Sequence, residues 1–170
     1  MVLSDSDIRK YLNAGRICIA PRPSDGQIGP TSVDLTLSDE FYVFRKGVKK
    51  IDLAKVKHGD VLQKVKAKKM VLKPGKMILG KTLERITLPA DVCGKLEGRS
   101  RYARLGLAIH VSSSLVQAGS DNHQILEIVN LSPTTITLHS GMRVCQIMFM
   151  RLSSPADKLY AKVGDIARVQ

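Results

Sequence analysis

The run Glu97-Gly98-Arg99-Ser100-Arg101-Tyr102-Ala103-Arg104-Leu105-Gly106-Leu107 sets a glycine, cations and a hydroxyl at the start of a short helix that Gly106 would close. Free backbone N–H groups at such a start, with the helix dipole behind them, attract phosphate. Ser100 and Arg104 are four apart, so on a helix both side chains share one face and could converge on one ligand. Twenty residues after Leu107, the carboxylate of Glu127 stands inside an apolar run. Two readings are open: an anion-binding helix start near a buried acid, or a basic surface turn with no ligand.

The strand pattern around Glu127 bears on the choice. Alternation points Ile125, Glu127 and Val129 one way and Leu126, Ile128 and Asn130 the other, and both sets are largely apolar. Glu127 is therefore expected to be at least partly buried, with a raised pKa suited to general acid/base work. The competing reading is a structural Glu paired with an Arg at a subunit contact. Under either, Arg104 is the natural partner.

The elements that must position these residues are mostly strands. Ser4 can cap a helix with Asp7 three residues on, Ile8, Tyr11 and Leu12 form its apolar stripe, and Gly15 ends it. The period then changes to two. Strands are expected at Val33–Leu37, Phe41–Phe44, Met77–Leu79, Ala108–Val111, Gln124–Val129, Thr135–Leu138 and Val144–Met150. Turn chemistry separates them, as at Lys73-Pro74-Gly75 and Ser140-Gly141. Many short strands at such spacing predict a compact barrel or sandwich.

Composition narrows the partners. A chain of 170 residues with 44% hydrophobic content fits one domain over residues 1–170. The net charge of +12 favours a polyanion: nucleic acid, an anionic membrane surface or a small polyphosphate. Aromatics are 4% with no Trp, so base-stacking platforms are poorly supplied and nucleic acid is not expected. No apolar run approaches the length of a membrane span. Cys18, Cys93 and Cys145 are odd in number and widely spaced in apolar contexts, which predicts core thiols in a reducing, cytoplasmic setting. Neither a C-x-x-C pair nor an H-x-E signature occurs, which excludes the zinc route to nucleobase deamination.

Gly98-Arg99-Ser100 through Leu107, His110, Gln124 to Glu127 with Asn130, Gly141-Met142-Arg143 and Gln146 to Phe149 resemble the central motifs of dCTP deaminases and the bifunctional dCTP deaminase/dUTPases. Leu3 to Ile17 and Pro30 to Leu37 are similar to the start of the same family, and the likeness runs over roughly residues 3 to 152.

The resemblance implies a mainly β fold: a distorted antiparallel barrel shared with trimeric dUTPases, with an N-terminal helix and one short internal helix. It implies a homotrimer with active sites at subunit interfaces, a nucleoside triphosphate substrate, and magnesium carried on the triphosphate with no protein metal ligands. Glu127 would move protons for a water attacking C4 of cytosine, Ser100 and Arg104 would hold that water, and Arg99 would meet the phosphates. Arg101 and Gln146 join the substrate-binding set, and Ser113 stands where the family has an Ala whose carbonyl positions the water.

Departures matter equally. Gln117 occupies the place of the family Asp that contacts the deoxyribose and, in dUTPases, supports the water attacking the α-phosphate. An amide can bond a hydroxyl but is no carboxylate base. Asp121 is a candidate replacement from a shifted loop. The tail 153–170, including Leu159 to Arg168, lacks a clear match to the family's closing lid. Three functions stay open: dCTP deaminase, dUTP pyrophosphatase, and a catalytically weakened nucleotide-binding paralogue.

Overall fold

Ser4 opens the first helix as its spacing predicts. In α1 (Asp5–Asn13) the Ser4 hydroxyl accepts the Asp7 N–H at 3.3 Å, Ile8 and Leu12 enter the core, and Gly15 follows at φ +66°. The computed structural model describes residues 1–163.

Eleven strands follow among the described residues. They are β1 (Cys18–Ala20), β2 (Val33–Phe44), β3 (Leu62–Lys66), β4 (Lys69–Leu72), β5 (Met77–Thr87), β6 (Val92–Gly98), β7 (Leu107–Ile109), β8 (Leu115–Val116), β9 (Asp121–Asn130), β10 (Ile136–His139) and β11 (Arg143–Arg151). Short helical turns interrupt them: α2 (His58–Val61), α3 (Ser100–Ala103) and α4 (Tyr160–Val163). Nine strands form one antiparallel sheet in the order β7-β9-β5-β2-β11-β6-β8, with β1 added to β5 and β3 to β2; β4 and β10 pair separately. Register shifts in β2, β5 and β11 bend the strands and curl the sheet into a distorted half-barrel. The fold is mainly β, as expected.

Alternation builds the core. Val33, Leu35, Leu37 and Phe41 of β2 meet Ile147 and Phe149 of β11 and Leu126 and Ile128 of β9, all without solvent exposure. Each such side chain stabilises the fold by about 1.5–3 kcal/mol. On β11, the opposite face of Gln146, Met148 and Met150 stays half-buried, so this strand keeps apolar surface the chain does not cover by itself.

Several expectations change. Val33–Leu37 and Phe41–Phe44 are one strand, because the shift between Leu37 and Phe41 is a bulge that does not break the ladder with β5. The segment expected as a strand over Ala108–Val111 stops at Ile109, since His110 takes φ +52°. β6 lies outside the strands expected from sequence, because its glycines weaken the strand signal. Yet a Cβ on Gly94 would sit 2.7 Å from Ile147 Cδ1 and 3.3 Å from Val116 Cβ, so glycine is what lets β11 and β8 close on β6. β3 and β4 lie in the Lys-rich run, where Lys64 and Lys66 alternate outward and meet Glu40 at 3.0 and 3.8 Å. Of the three thiols only Cys145 is in the core, where burial pushes its pKa up. Cys18 is exposed because β1 turns only Ile19 inward, and Cys93 is partly covered.

Candidate functional site

The first cavity exists because a strand ends early. β7 pairs only with Ile128–Asn130 of β9; then His110, its N–H still on the Glu127 carbonyl at 2.9 Å, turns the chain away. The β9 edge upstream is left without a strand on that side, and residues from both faces of β9 border a cavity of about 330 Å³. Glu127, His110, Ser113, Gln117, Asn122 and Gln124 line it, over Leu79 and Leu96.

Glu127 is half-buried, as alternation implies, but its partner is not Arg104. The turn after His110 brings the Ser112 N–H to Oε2 at 2.8 Å and the Ser112 hydroxyl to Oε1 at 2.8 Å. Burial pushes the Glu127 pKa up, and the two Ser112 bonds, helped by His110, outweigh it, so the group is held below the ordinary carboxylate value. The expected rise is thus reversed: partial burial alone raises a carboxyl, but two donors aimed at the ionised form win. Arg104 is exposed, and its guanidinium makes no hydrogen bond or ion pair among the described residues.

His110 faces the same cavity with both ring nitrogens buried and outside hydrogen-bond geometry. Burial pushes its pKa down, against Glu127 and the nearby Ser113 backbone, so the ring is neutral at pH 7. Gln117 is exposed to the cavity, and its carbonyl accepts the Ser120 hydroxyl at 2.7 Å. The C-terminal segment closes one side: Tyr160 N–H donates to the Ala118 carbonyl at 3.1 Å, and Tyr160 lines the cavity. The remainder of the divergent tail, 164–170, lies outside the described residues.

A second cavity of about 310 Å³ shares no residue with the first. It is lined by Gly26, Gln27, Asp34, Arg99, Ser100, Arg101 and Gln146. α3 is a single turn with Arg99 at its N-cap, so its dipole is small and side chains must supply most of any anion affinity. Arg99 binds Asp34 Oδ2 at 2.9 Å and the Arg143 carbonyl at 3.0 Å. Burial pushes the Asp34 pKa up, opposed by Arg99 and Arg143. Gln146 bridges the Ser32 hydroxyl (2.7 Å) and the Gly98 carbonyl (3.3 Å). Ser100 and Arg101 are exposed, and their side chains make no hydrogen bond or ion pair among the described residues.

The site residues read from sequence therefore fall into two groups. Glu127, Ser113 and Gln117 share the first cavity, Arg99, Ser100, Arg101 and Gln146 the second, and Arg104 borders neither. One turn links Ser100 to Arg104, but only Ser100 lines the second cavity. Asp121 does not replace the missing acid. Arg85 holds it through Nε at 2.9 Å and Nη2 at 3.0 Å, and with Thr87 lowers its pKa to about 2, outside both cavities. Sequence reasoning missed Asn122 and Gln124, whose signal was a polar pair on the buried face of a strand, and His58 of α2, which lines the first cavity and carried no signal. Among the described residues no three His, Cys, Asp or Glu side chains group to hold a metal ion, and no helix is long and apolar enough to cross a membrane.

This curled antiparallel sheet is the dUTPase-like architecture. A mutant dUTPase from phage phi11 of Staphylococcus aureus superposes with a TM-score of 0.55 at 14% identity over 84% of this chain and 94% of that one. The crystal structure of 2'-deoxycytidine 5'-triphosphate deaminase from Agrobacterium tumefaciens gives a TM-score of 0.70 at 24% identity over 89% of this chain, which spans about half (48%) of that longer chain. The model of the family described as dCTP deaminase-like matches residues 2–152, and the chain belongs to that family. A dCTP deaminase of Rhodospirillum rubrum is 43% identical over 95% of this chain and 88% of its own length. A dUMP-forming dCTP deaminase of Methanosphaera stadtmanae is 38% identical over 94% of this chain and 83% of its own.

Proposed function

We propose that the chain deaminates dCTP hydrolytically to dUTP and ammonia, without zinc, as a single functional unit in the cytoplasm. The observation that carries this reading is Glu127, an ionised carboxylate held by Ser112 at an open strand edge and, among the described residues, the sole carboxylate lining the first cavity. Glu127 takes a proton from the water that adds to C4 of cytosine, and returns it to the amino group, which leaves as ammonia. Substrate closing the cavity expels water and lifts the Glu127 pKa toward the operating pH, where a base works best. Neutral His110 keeps its nitrogens available for hydrogen bonding beside it.

The water-holding roles of Ser100 and Arg104 require a second chain, because one chain keeps them apart from Glu127. A homotrimer that joins the first cavity of one subunit to α3 of the next supplies them. The half-covered β11 face and the exposed Leu105, Val111 and Leu131 support that assembly. Arg99, Arg101 and Gln146 then grip the phosphates, and magnesium arrives on the triphosphate as part of the substrate.

Gln117 separates the readings. As an amide in the first cavity it cannot activate a water for attack on the α-phosphate, which disfavours dUTP hydrolysis and a dUMP product. Incubation with dCTP and with dUTP, followed by product separation, tests this. The expected result is dUTP with ammonia from dCTP and no turnover of dUTP. Pyrophosphate release would support the pyrophosphatase reading, and tight binding without turnover the weakened paralogue.

A further inference from the structure

Glu84 is the most deeply buried carboxylate among the described residues, 2% exposed, and no Lys, Arg or His there pairs with it. It sits where β5 leaves register with β9, between Lys81 and Arg85, and unbroken alternation along β5 turns Glu84 inward with Ile78, Thr82 and Ile86 and Leu83 outward. Both oxygens are used. Oε2 accepts the Thr36 N–H at 2.8 Å, and Oε1 accepts Gln27 Nε2 at 3.2 Å.

Of the two donors, Gln27 lines the second cavity, and Thr36 lies just outside it on β2. Thr36 is two residues from Asp34, which holds Arg99. Gln27 belongs to the one-turn 3₁₀ segment Asp25–Gln27; its amide also donates to the Asp34 carbonyl at 3.0 Å and accepts the Ser24 N–H at 3.1 Å. Glu84 thus pins the Gly26–Gln27 wall to the strand that carries the Arg99 partner. The same stretch of β5 reaches the first cavity: Thr82 Oγ1 donates to the Glu84 carbonyl at 2.8 Å and accepts the Gln124 N–H at 2.9 Å.

A buried carboxylate without a cation is a costly way to fill a core position, whereas an apolar side chain of similar volume would pack without that penalty. Its two acceptors match two fixed donors, which is a geometric task that no apolar residue performs. We infer that Glu84 is a positioning residue for the polyphosphate half of the substrate, acting through Gln27 and Thr36 to hold the wall opposite Arg99. The inference rests on the nucleotide reading above and extends it to a residue that does not line the cavity.

Glu84→Gln keeps the volume but forces a mismatch. Its amide must face either the Thr36 N–H or the Gln27 amide, and a flipped Gln27 would lose its bonds to Ser24 and Asp34. Binding of dCTP and of deoxycytidine is measured by calorimetry for wild type, Glu84→Gln and Gln27→Leu, with thermal unfolding of each. Gln27→Leu removes the wall's link to Glu84 and to the Asp34 carbonyl, with Gly26 still held by Arg143, while leaving Glu84 on Thr36, so it tests the idea even if Glu84→Gln folds poorly. The expected result is a roughly tenfold loss of dCTP affinity in both variants, with deoxycytidine affinity within about twofold of wild type. In steady-state assays KM for dCTP rises while kcat falls much less. Equal losses for dCTP and deoxycytidine, or no loss for either, would overturn the positioning role. Wild type binding dCTP no better than deoxycytidine would instead reject the nucleotide reading, and this inference with it.

Discussion

The two cavities reach readiness by opposite means. At the Glu127 edge the reactive group is poised by local chain: the turn His110–Ser112 follows directly from β7 and delivers two neutral donors to one carboxylate. At the Arg99 cavity the charged group is held by distant chain: Asp34 of β2 and the Arg143 carbonyl of β11 restrain a guanidinium that follows β6. Neutral donors leave Glu127 its negative charge, uncancelled by a cation, while lowering its basicity. The Asp34 carboxylate leaves Arg99 nearly neutralised, so phosphate must compete with an internal ion pair. The first arrangement favours chemistry, and the second discriminates by ligand charge, since only a multiply charged anion outcompetes one carboxylate.

The comparison breaks most sharply at Glu127. Glu127→Gln keeps volume and most hydrogen bonding but removes proton transfer, so ammonia release from dCTP should fall at least ~10²-fold with dCTP binding nearly intact. Wild-type ammonia release in this variant would make Glu127 a structural acid.

A smaller effect is expected at the other cavity. Arg99→Ala should weaken triphosphate binding by about tenfold or more, consistent with loss of a charge-assisted contact, and nucleoside binding hardly at all. It should also cost some stability, because Asp34 loses its nearest cation. Equilibrium binding of dCTP against deoxycytidine reads the difference; equal losses would assign Arg99 a purely structural role.

The smallest effect sharpens the role of Ser112. Glu127 lies below its ordinary pKa in the fold, so its stabilising contribution is complete above the ordinary carboxylate range and fades as pH falls through the lower folded value. The acid limb of kcat/KM in wild type should accordingly lie below pH ~4.5. Ser112→Ala removes one of two donors, so that limb should move to higher pH while the rate at pH 7 changes less than about threefold. A profile from about pH 4 to 8 for both proteins checks this, and an unmoved limb would mean that another group titrates.

Much of the site was legible residue by residue. Ser4, Asp7 and Gly15 delimit α1 because capping and the left-handed exit are local chemistry. The half-burial of Glu127 followed from alternation, which assigns a side chain to a face. Alternation does not name the neighbour on that face, and there the reading failed: Ser112 stands where Arg104 was expected. Asp121 looked like a spare acid by proximity in sequence, yet register with β5 places it opposite Thr87 and within reach of Arg85.

By itself the sequence determined the period of β2, β9 and β11, the first helix, the α3 turn and the identities of the chemical groups, because these depend on residues a few positions apart. Tertiary structure alone decided that β7 would stop at Ile109 and open the β9 edge, that glycine at 94 would let β6 close against β11, and that Glu127 and Ser100 would face separate cavities. Those outcomes depend on which strands pair and in what register. Pairing energy comes from contacts between segments far apart in the chain, so no local pattern can encode it in advance.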